Sequence, residues 1–165
     1  MSMRKLALGA LQAACVVGAV AGATEAAADD LVITIERVRA LDRIDLSGQP
    51  DFFAQVTIDG KVTKTEVAPK SANIRPNWVI RAPITKDVTD VKIEIFDKDL
   101  VSKDDAVDIN RLPKKRDLDF SVRRNPCRVI GFAQIYDCSG RGARITRAGD
   151  ERRKSEITFK VDIRR

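Results

Sequence analysis

The sequence predicts an all-β fold in which two antiparallel sheets pack face to face as a β-sandwich. Three observations predict it: apolar and polar residues alternate along several short segments, turn signals separate these segments, and no segment has an amphipathic helical pattern. Alternation with a period of two places one face of a strand on a core and the other toward solvent. Short strands separated by turns are typical of a sandwich.

The candidate strands share apolar residues at every second position. The alternating segments are residues 31–36, 91–95 and 157–163. A hairpin is predicted where Asp59 and Gly60 separate the β-type runs 56–58 and 61–63, because Asp-Gly between such runs is a strong hairpin signal. A further short strand is predicted over 78–80.

Three long connections separate the predicted strands, over residues 41–50, 97–105 and 140–154. Long loops in a compact domain are usually functional or disordered. The first two connections are rich in Asp, whereas the third is rich in Arg. The arginine-rich connection has two interpretations: a solvated loop, or a contact with lipid headgroups or an acidic polymer.

Residues 1–28 are predicted to be a secretory signal peptide, followed by a single domain over residues 29–165. Arg4 and Lys5 precede an apolar stretch, and the small residues 26–28 provide an A-x-A cleavage site. A membrane anchor is the alternative, for which the apolar stretch is only marginally long. The leader predicts an exported protein that is periplasmic or secreted.

Two cysteines follow the predicted leader, and an exported chain can oxidise them. A single extended strand over residues 128–137 would be about 33 Å long and would keep Cys127 and Cys138 apart, whereas a disulfide needs Cα atoms within about 7 Å. The bond therefore requires a turn near Gly131. Both arrangements remain open at this point.

Aspartates concentrate in the first two connections. The first contains Asp45 and leads to Asp51, and the second runs from Asp97 through Asp99 to Asp105. Because the loops of a sandwich cluster at its ends, these carboxylates would converge if both connections share one end. Two charges about 4 Å apart repel by roughly 4 kcal/mol at an effective dielectric of about 20, which favours a bound cation. Alternatively, these are ordinary acidic surface loops, since Asp is common in turns.

The residue types favour calcium among the cations. Calcium takes about six to eight oxygen ligands in a flexible geometry, which carboxylates, backbone carbonyls and the Ser102 hydroxyl can supply. Neither acidic connection contains a thiol or an imidazole, which disfavours zinc and copper. Magnesium is the second choice because it retains more of its water.

Three segments resemble motifs of the C2 domain family, in its calcium-binding type. Residues 45–56 resemble the first calcium loop, with two Asp six positions apart before a strand. Residues 75–78 resemble the family's Asn-Pro-x-Trp signature, although Arg75 replaces the usual Asn. Residues 91–99 resemble the strand that runs into the Asp-x-Asp of the third calcium loop. Together with the leader, this resemblance is to an exported, bacterial-style member, and it implies a C2-like antiparallel eight-stranded β-sandwich.

The resemblance implies a ligand set and membrane-contacting loop tips. The implied metal ligands are Asp45, Asp51, Asp97, Asp99, Ser102 and Asp105. They would hold one to three calcium ions, and Asp104 is an alternative to Asp105. The implied membrane-contacting residues are Leu46, Leu100 and Val101.

The function that the resemblance implies is a calcium-binding module that contacts anionic phospholipid in a calcium-dependent way. The alternative is a calcium-stabilised periplasmic or extracellular protein-interaction module without lipid binding, whose partner is an exported protein. The excess of 30 Lys and Arg over 24 Asp and Glu favours anionic partners in general. Nucleic acid is not an expected partner, because the chain has no series of base-stacking aromatic residues.

An enzyme is not expected. The chain contains no His, which removes the usual Ser-His and Cys-His nucleophile systems. Pairs of Asp can hydrolyse glycosides, but those sites usually contain aromatic sugar platforms, and this chain has one Trp and one Tyr.

Overall fold

A computed structural model of the chain describes residues 29–44, 48–99 and 104–165. These residues form strands and no helix, so none of them forms a helix that is long and apolar enough to cross a membrane. In chain order the strands are β1 (Asp30–Ala40), β2 (Phe52–Ile58), β3 (Lys61–Lys64), β4 (Asn73–Ile74), β5 (Trp78–Pro83), β6 (Val88–Asp97), β7 (Asp105–Val107), β8 (Leu118–Arg123), β9 (Arg128–Gly131), β10 (Gln134–Asp137), β11 (Ala143–Ala148) and β12 (Ser155–Arg164). The predicted leader, residues 1–28, lies outside the described residues.

The strands form two sheets, and all of their ladders are antiparallel. The first sheet has the order β11-β12-β1-β4, with β5 also paired to β1. The second has the order β10-β9-β8-β6-β2-β3, with β7 also paired to β6. The predicted antiparallel β-sandwich is therefore confirmed.

The described residues contain twelve strands where the resemblance implied eight. Part of the difference is that one strand in each sheet has two short partners along the same edge. Strand β1 pairs with β5 through residues 30–35 and with β4 through residues 38–39. Strand β6 pairs with β8 through residues 88–93 and with β7 through residues 95–97. Short strands of two or three residues carry too little alternation to be recognised in the sequence.

The alternating segments supply the core between the sheets. Leu31, Ile33 and Ile35 of β1 are fully buried, and Phe159 of β12 and Phe52 of β2 are the largest of the fully buried side chains. Burying a large apolar side chain stabilises the fold by about 1.5–3 kcal/mol, so this interface is the main source of stability.

The predicted hairpin is confirmed. Strands β2 and β3 pair from Ile58 opposite Lys61, and Asp59 and Gly60 between them have φ values of 47° and 83°. Positive φ at both turn residues matches the right-handed twist of the flanking strands, and Asp and Gly tolerate it better than most residues.

The prediction of an uninterrupted connection over 140–154 is wrong. Strand β11 lies inside it, and only residues 149–154 connect β11 to β12. Ala143 and Ile145 of β11 are buried, while Arg144 between them and Thr146 after them are exposed. The strand was missed because arginine and threonine fill its outward positions and the alternation is short.

The chain turns between Cys127 and Cys138, and the two residues form a disulfide. Phe132 and Ala133 form the turn of the β9–β10 hairpin, which brings the two Cα atoms to 5.0 Å. The continuous strand over 128–137 is thereby excluded, and the turn follows Gly131.

Candidate functional site

Three connections meet at one end of the sandwich, which we call the loop end. They join β1 to β2, β6 to β7 and β11 to β12, and their described residues are 41–44, 48–51, 98–99, 104 and 149–154. The backbone N–H of Lys98 donates to the carbonyl of Asp51 at 3.0 Å. The backbone N–H of Leu41 donates to the carbonyl of Lys154 at 2.9 Å. The two acidic connections and the basic turn of residues 149–154 therefore lie side by side.

The closest approach of the two acidic connections is at Asp51 and Asp97. Asp97 is the last residue of β6 and pairs with Phe52, which places it directly beside the start of β2. Its side chain is 4% exposed, and its Oδ1 accepts a hydrogen bond from the backbone N–H of Asp51 at 2.7 Å. A buried carboxylate thus stands where the first acidic connection enters the second sheet.

Asp99 has a carboxylate oxygen that no described group satisfies. Its Oδ2 is buried and has no hydrogen-bond partner, while its backbone N–H donates to Oδ1 of Asp104 at 3.2 Å. Leaving a buried acceptor unpaired costs about 1–3 kcal/mol, and more when the group is charged. An oxygen-seeking cation would remove that cost, so the donor set at this position fits calcium.

Basic side chains pair with three further carboxylates at or next to the loop end. Nζ of Lys98 lies 3.4 Å from Oδ1 of Asp104. Lys70 belongs to the segment between β3 and β4, and its Nζ lies 3.6 Å from Oδ2 of Asp51. In a third ion pair, Nη1 of Arg153 in the basic turn lies 2.5 Å from Oδ1 of Asp105.

The described ligand candidates therefore divide into two groups. Asp97 supplies a buried carboxylate and Asp99 one buried carboxylate oxygen, whereas Asp51 and Asp105 each contact a basic side chain. Asp105 lies opposite Asp97 in the β6–β7 ladder. Within the described ranges, no three side chains of the His, Cys, Asp and Glu types gather into a metal-binding group. A metal at this end would thus require Asp105 to leave Arg153, or ligands from beyond the described ranges.

The remaining predicted site residues lie outside the described residues. They are the predicted ligands Asp45 and Ser102 and the predicted membrane-contacting residues Leu46, Leu100 and Val101. Their roles stay predictions.

Asp108 was not predicted from the sequence, yet it holds the basic turn in place. Its side chain is fully buried, and it accepts hydrogen bonds from the backbone N–H groups of Asn110, Asp150 and Glu151 at 2.7–3.0 Å. A Cβ on Gly149 would come within 2.2 Å of the Asp108 carbonyl oxygen, so the turn passes close to the strand. The one available signal in the sequence was a single Asp between two apolar residues, Val107 and Ile109, which the structure shows to be buried.

Comparison with known proteins decides the family. Residues 29–129, more than half of the chain, match the family model described as the C2 domain. The chain belongs to the C2 domain family. The curated proteins contain no match to it.

Solved structures with C2 domains share this fold. A C2 domain of plant extended synaptotagmin 1 has a TM-score of 0.58 at 12% identity, covering 83% of this chain and 95% of that domain. The calcium-bound pair of C2 domains from extended synaptotagmin 2 has a TM-score of 0.54 at 17% identity, covering 81% of this chain and 45% of that one. Human GIVD cytosolic phospholipase A2 has a TM-score of 0.55 at 19% identity, covering 82% of this chain. The match spans only 16% of the phospholipase, and at these identities the likeness shows the fold alone.

Proposed function

We propose that this C2 domain is a calcium-binding module that docks its loop end on anionic phospholipid when calcium is bound. The observation that carries the proposal is the meeting of the two acidic connections, where the Asp51 backbone contacts the buried carboxylate of Asp97 at 2.7 Å. Two residues further along, Oδ2 of Asp99 has no hydrogen-bond partner within the described ranges and adds a second buried oxygen that a cation would satisfy.

The proposed calcium ligands are the described Asp51, Asp97, Asp99 and Asp105, completed by Asp45 and Ser102. Carboxylate and hydroxyl oxygens in flexible loops suit calcium, which accepts an irregular shell. One to three ions would fit such a number of ligands. The donor set supports the proposal because it contains only oxygen ligands.

Calcium would also change the charge that the loop end presents. Lys70 and Arg153 at present neutralise Asp51 and Asp105, and a divalent ion bound to those carboxylates would release both basic side chains. A bound ion is often the largest local charge in a site. The loop end would therefore become strongly positive, with Arg152 exposed beside it, and would attract an anionic surface.

The proposed membrane contact combines this charge with apolar loop tips. Leu46, Leu100 and Val101 are the predicted tips, and each would contribute at most about 1.5–3 kcal/mol if fully buried in lipid. Binding would be reversible for that reason. The calcium-bound extended synaptotagmin 2 domains of the same fold support a calcium ligand for a C2 domain of this kind.

We further propose that the domain is exported, to the periplasm or beyond the cell, and acts by binding rather than by catalysis. The leader pattern of residues 1–28 supports export. So does the disulfide between Cys127 and Cys138, because disulfides persist in oxidising compartments. Sequencing the amino terminus of the protein recovered from its natural compartment tests this, and a chain that still begins at Met1 would contradict it.

Liposome co-sedimentation tests the lipid proposal. We expect the chain to pellet with phosphatidylserine-containing vesicles in calcium and to remain in solution with chelator or with neutral vesicles. Asp97→Asn should abolish pelleting, whereas Asp87→Asn, an exposed aspartate at the opposite end, should leave it unchanged. Pelleting that ignores calcium would contradict the lipid bridge. A calcium-induced rise in melting temperature without pelleting would instead favour the calcium-stabilised protein-interaction module.

A further inference from the structure

A second candidate site lies between the edges of the two sheets and shares no residue with the loop end. It is a cleft of about 530 Å³, formed where the β9–β10 turn of the second sheet meets β11 of the first and the segment 110–115. Its floor includes Leu118 and Phe132, and Leu112 at its rim is 59% exposed. Clefts of roughly 300–1,000 Å³ with apolar floors are the usual form of small-molecule sites.

Arg147 of β11 is fixed in the wall of this cleft, and no described carboxylate pairs with it. Its guanidinium carbon lies 4.5 Å from the ring centre of Phe132 and 5.8 Å from that of Tyr136. Its Nη2 donates to the Tyr136 hydroxyl at 2.5 Å, and its buried Nε finds no hydrogen-bond partner among the described residues. Stacking on aromatic rings holds a guanidinium in one orientation, so its charge is available to a ligand at little entropic cost.

The cleft carries an excess of positive charge. Arg111, Lys115 and Arg147 line it, and Asp119 is the one acidic residue among the lining side chains that the structure describes. Lys115 pairs with Asp119 at 3.1 Å, so the charges of Arg111 and Arg147 remain without an acidic partner in the described part of the chain. The net charge of the lining, three positive and one negative, matches a dianion.

The apolar floor depends on a strained turn. Phe132 and Ala133 have φ values of 59° and 57°, a region that favours glycine and asparagine. Strain of this kind costs on the order of 1–3 kcal/mol per residue and persists only where the surroundings impose it. Here the ring of Phe132 packs 5.5 Å from that of Phe120 and lies beneath Arg147. The turn thus places an aromatic surface directly beside a fixed cation.

We propose that this cleft binds a single-chain lipid with a phosphate monoester headgroup. The phosphate pairs with Arg147 and Arg111, and the hydrocarbon chain lies on Phe132, Leu118 and Leu112. A phosphate monoester carries close to two negative charges at neutral pH, which matches the charge excess better than a carboxylate does. Binding at this cleft needs no calcium, so it is independent of the function proposed for the loop end.

Calorimetric titration of the full chain with dodecyl phosphate, below its micelle concentration and in the presence of chelator, tests the proposal. We expect saturable binding to one site. Arg111→Gln removes an exposed side chain and should weaken binding about tenfold, the loss typical of a charge-assisted contact. Arg147→Gln should weaken it at least as much, and Arg81→Gln, an exposed arginine on β5, should leave it unchanged.

The ligand's two halves are tested separately with dodecanol and inorganic phosphate. Both should bind at least about tenfold more weakly than dodecyl phosphate, because each makes only one kind of contact. Equal binding of inorganic phosphate would reduce the site to a simple anion site and overturn the lipid assignment, and equal binding of dodecanol would overturn the role of the arginines. Unchanged affinity for dodecyl phosphate in Arg111→Gln would also overturn the role of the arginines. Because chelator removes the calcium that the loop end is proposed to need, the loop end does not contribute to these titrations. A failure of dodecyl phosphate to bind would therefore not bear on the calcium proposal.

Discussion

Two buried carboxylates near the loop end, Asp97 and Asp108, have the same chemistry and opposite surroundings. Asp108 accepts three backbone N–H groups, and its turn is fitted so closely that Gly149 has no room for a side chain. Asp97 accepts the N–H of Asp51 and lies near Asp99, whose buried Oδ2 accepts no hydrogen bond from any described residue. Backbone N–H groups that donate hydrogen bonds to a buried carboxylate stabilise its charged form. The comparison teaches that Asp108 is a structural residue, whereas Asp97 lies beside Asp99, whose buried Oδ2 is open to a ligand as far as the described residues go.

The largest effect is expected at Asp108. Asp108→Ala leaves three backbone donors without their acceptor and should lower the free energy of unfolding by about 3 kcal/mol. For a domain of this size that corresponds to a melting temperature about 10 °C lower. Asp97→Asn is measured in the same experiment without calcium. It should unfold at nearly the melting temperature of the native chain or slightly above it, because the substitution relieves repulsion between Asp97 and the neighbouring carboxylates. Equal destabilisation of both variants would erase the distinction between the two aspartates.

A smaller loss of stability is expected from Gly149→Ala. The new Cβ would lie 2.2 Å from the carbonyl oxygen of Asp108, a backbone atom that cannot move without breaking the turn. We expect a melting temperature several degrees lower, consistent with overpacking losses of about 1–3 kcal/mol. Gly140→Ala is the matched control for the loss of a glycine, since its Cβ would meet no atom within 4 Å, although its φ of 75° adds some strain. A smaller loss in Gly149→Ala than in the control would show that the turn is not held tightly.

The smallest effect is expected where the two regions touch, at Arg153. Its guanidinium comes from the turn that Asp108 anchors and pairs with Asp105, a proposed calcium ligand. Arg153→Gln should raise calcium affinity about two- to fivefold, because partly exposed pairs contribute only about 0.2–1 kcal/mol. Arg152→Gln removes the neighbouring positive charge without breaking that pair and serves as the control. An equal gain in both variants would assign the effect to net charge rather than to competition for Asp105.

Local patterns predicted much of the fold, because alternation and turn chemistry act between close neighbours in the chain. The Asp59-Gly60 hairpin and the buried faces of β1, β6 and β12 followed from them directly. Strand β11 was missed because its outward positions are filled by arginine and threonine.

The candidate site was less predictable, because its ion pairs join residues that are distant in sequence. Proximity of Asp51 and Asp97 was expected from two acidic connections at one end, and the structure brings them together. The pairing of Lys70 with Asp51 and of Arg153 with Asp105 could not be expected, since no periodicity links these residues. Nor does composition distinguish Asp108, which is buried by a turn 42 residues later.

Calorimetric titration of calcium into the native chain and into Asp99→Asn tests the central claim most directly. The account predicts saturable binding to the native chain, with a Kd of about 10⁻⁴–10⁻³ M as in extracellular modules, and loss of most of that binding in the variant. A native chain that releases or absorbs no heat with calcium, or a variant whose isotherm matches the native one, would contradict it.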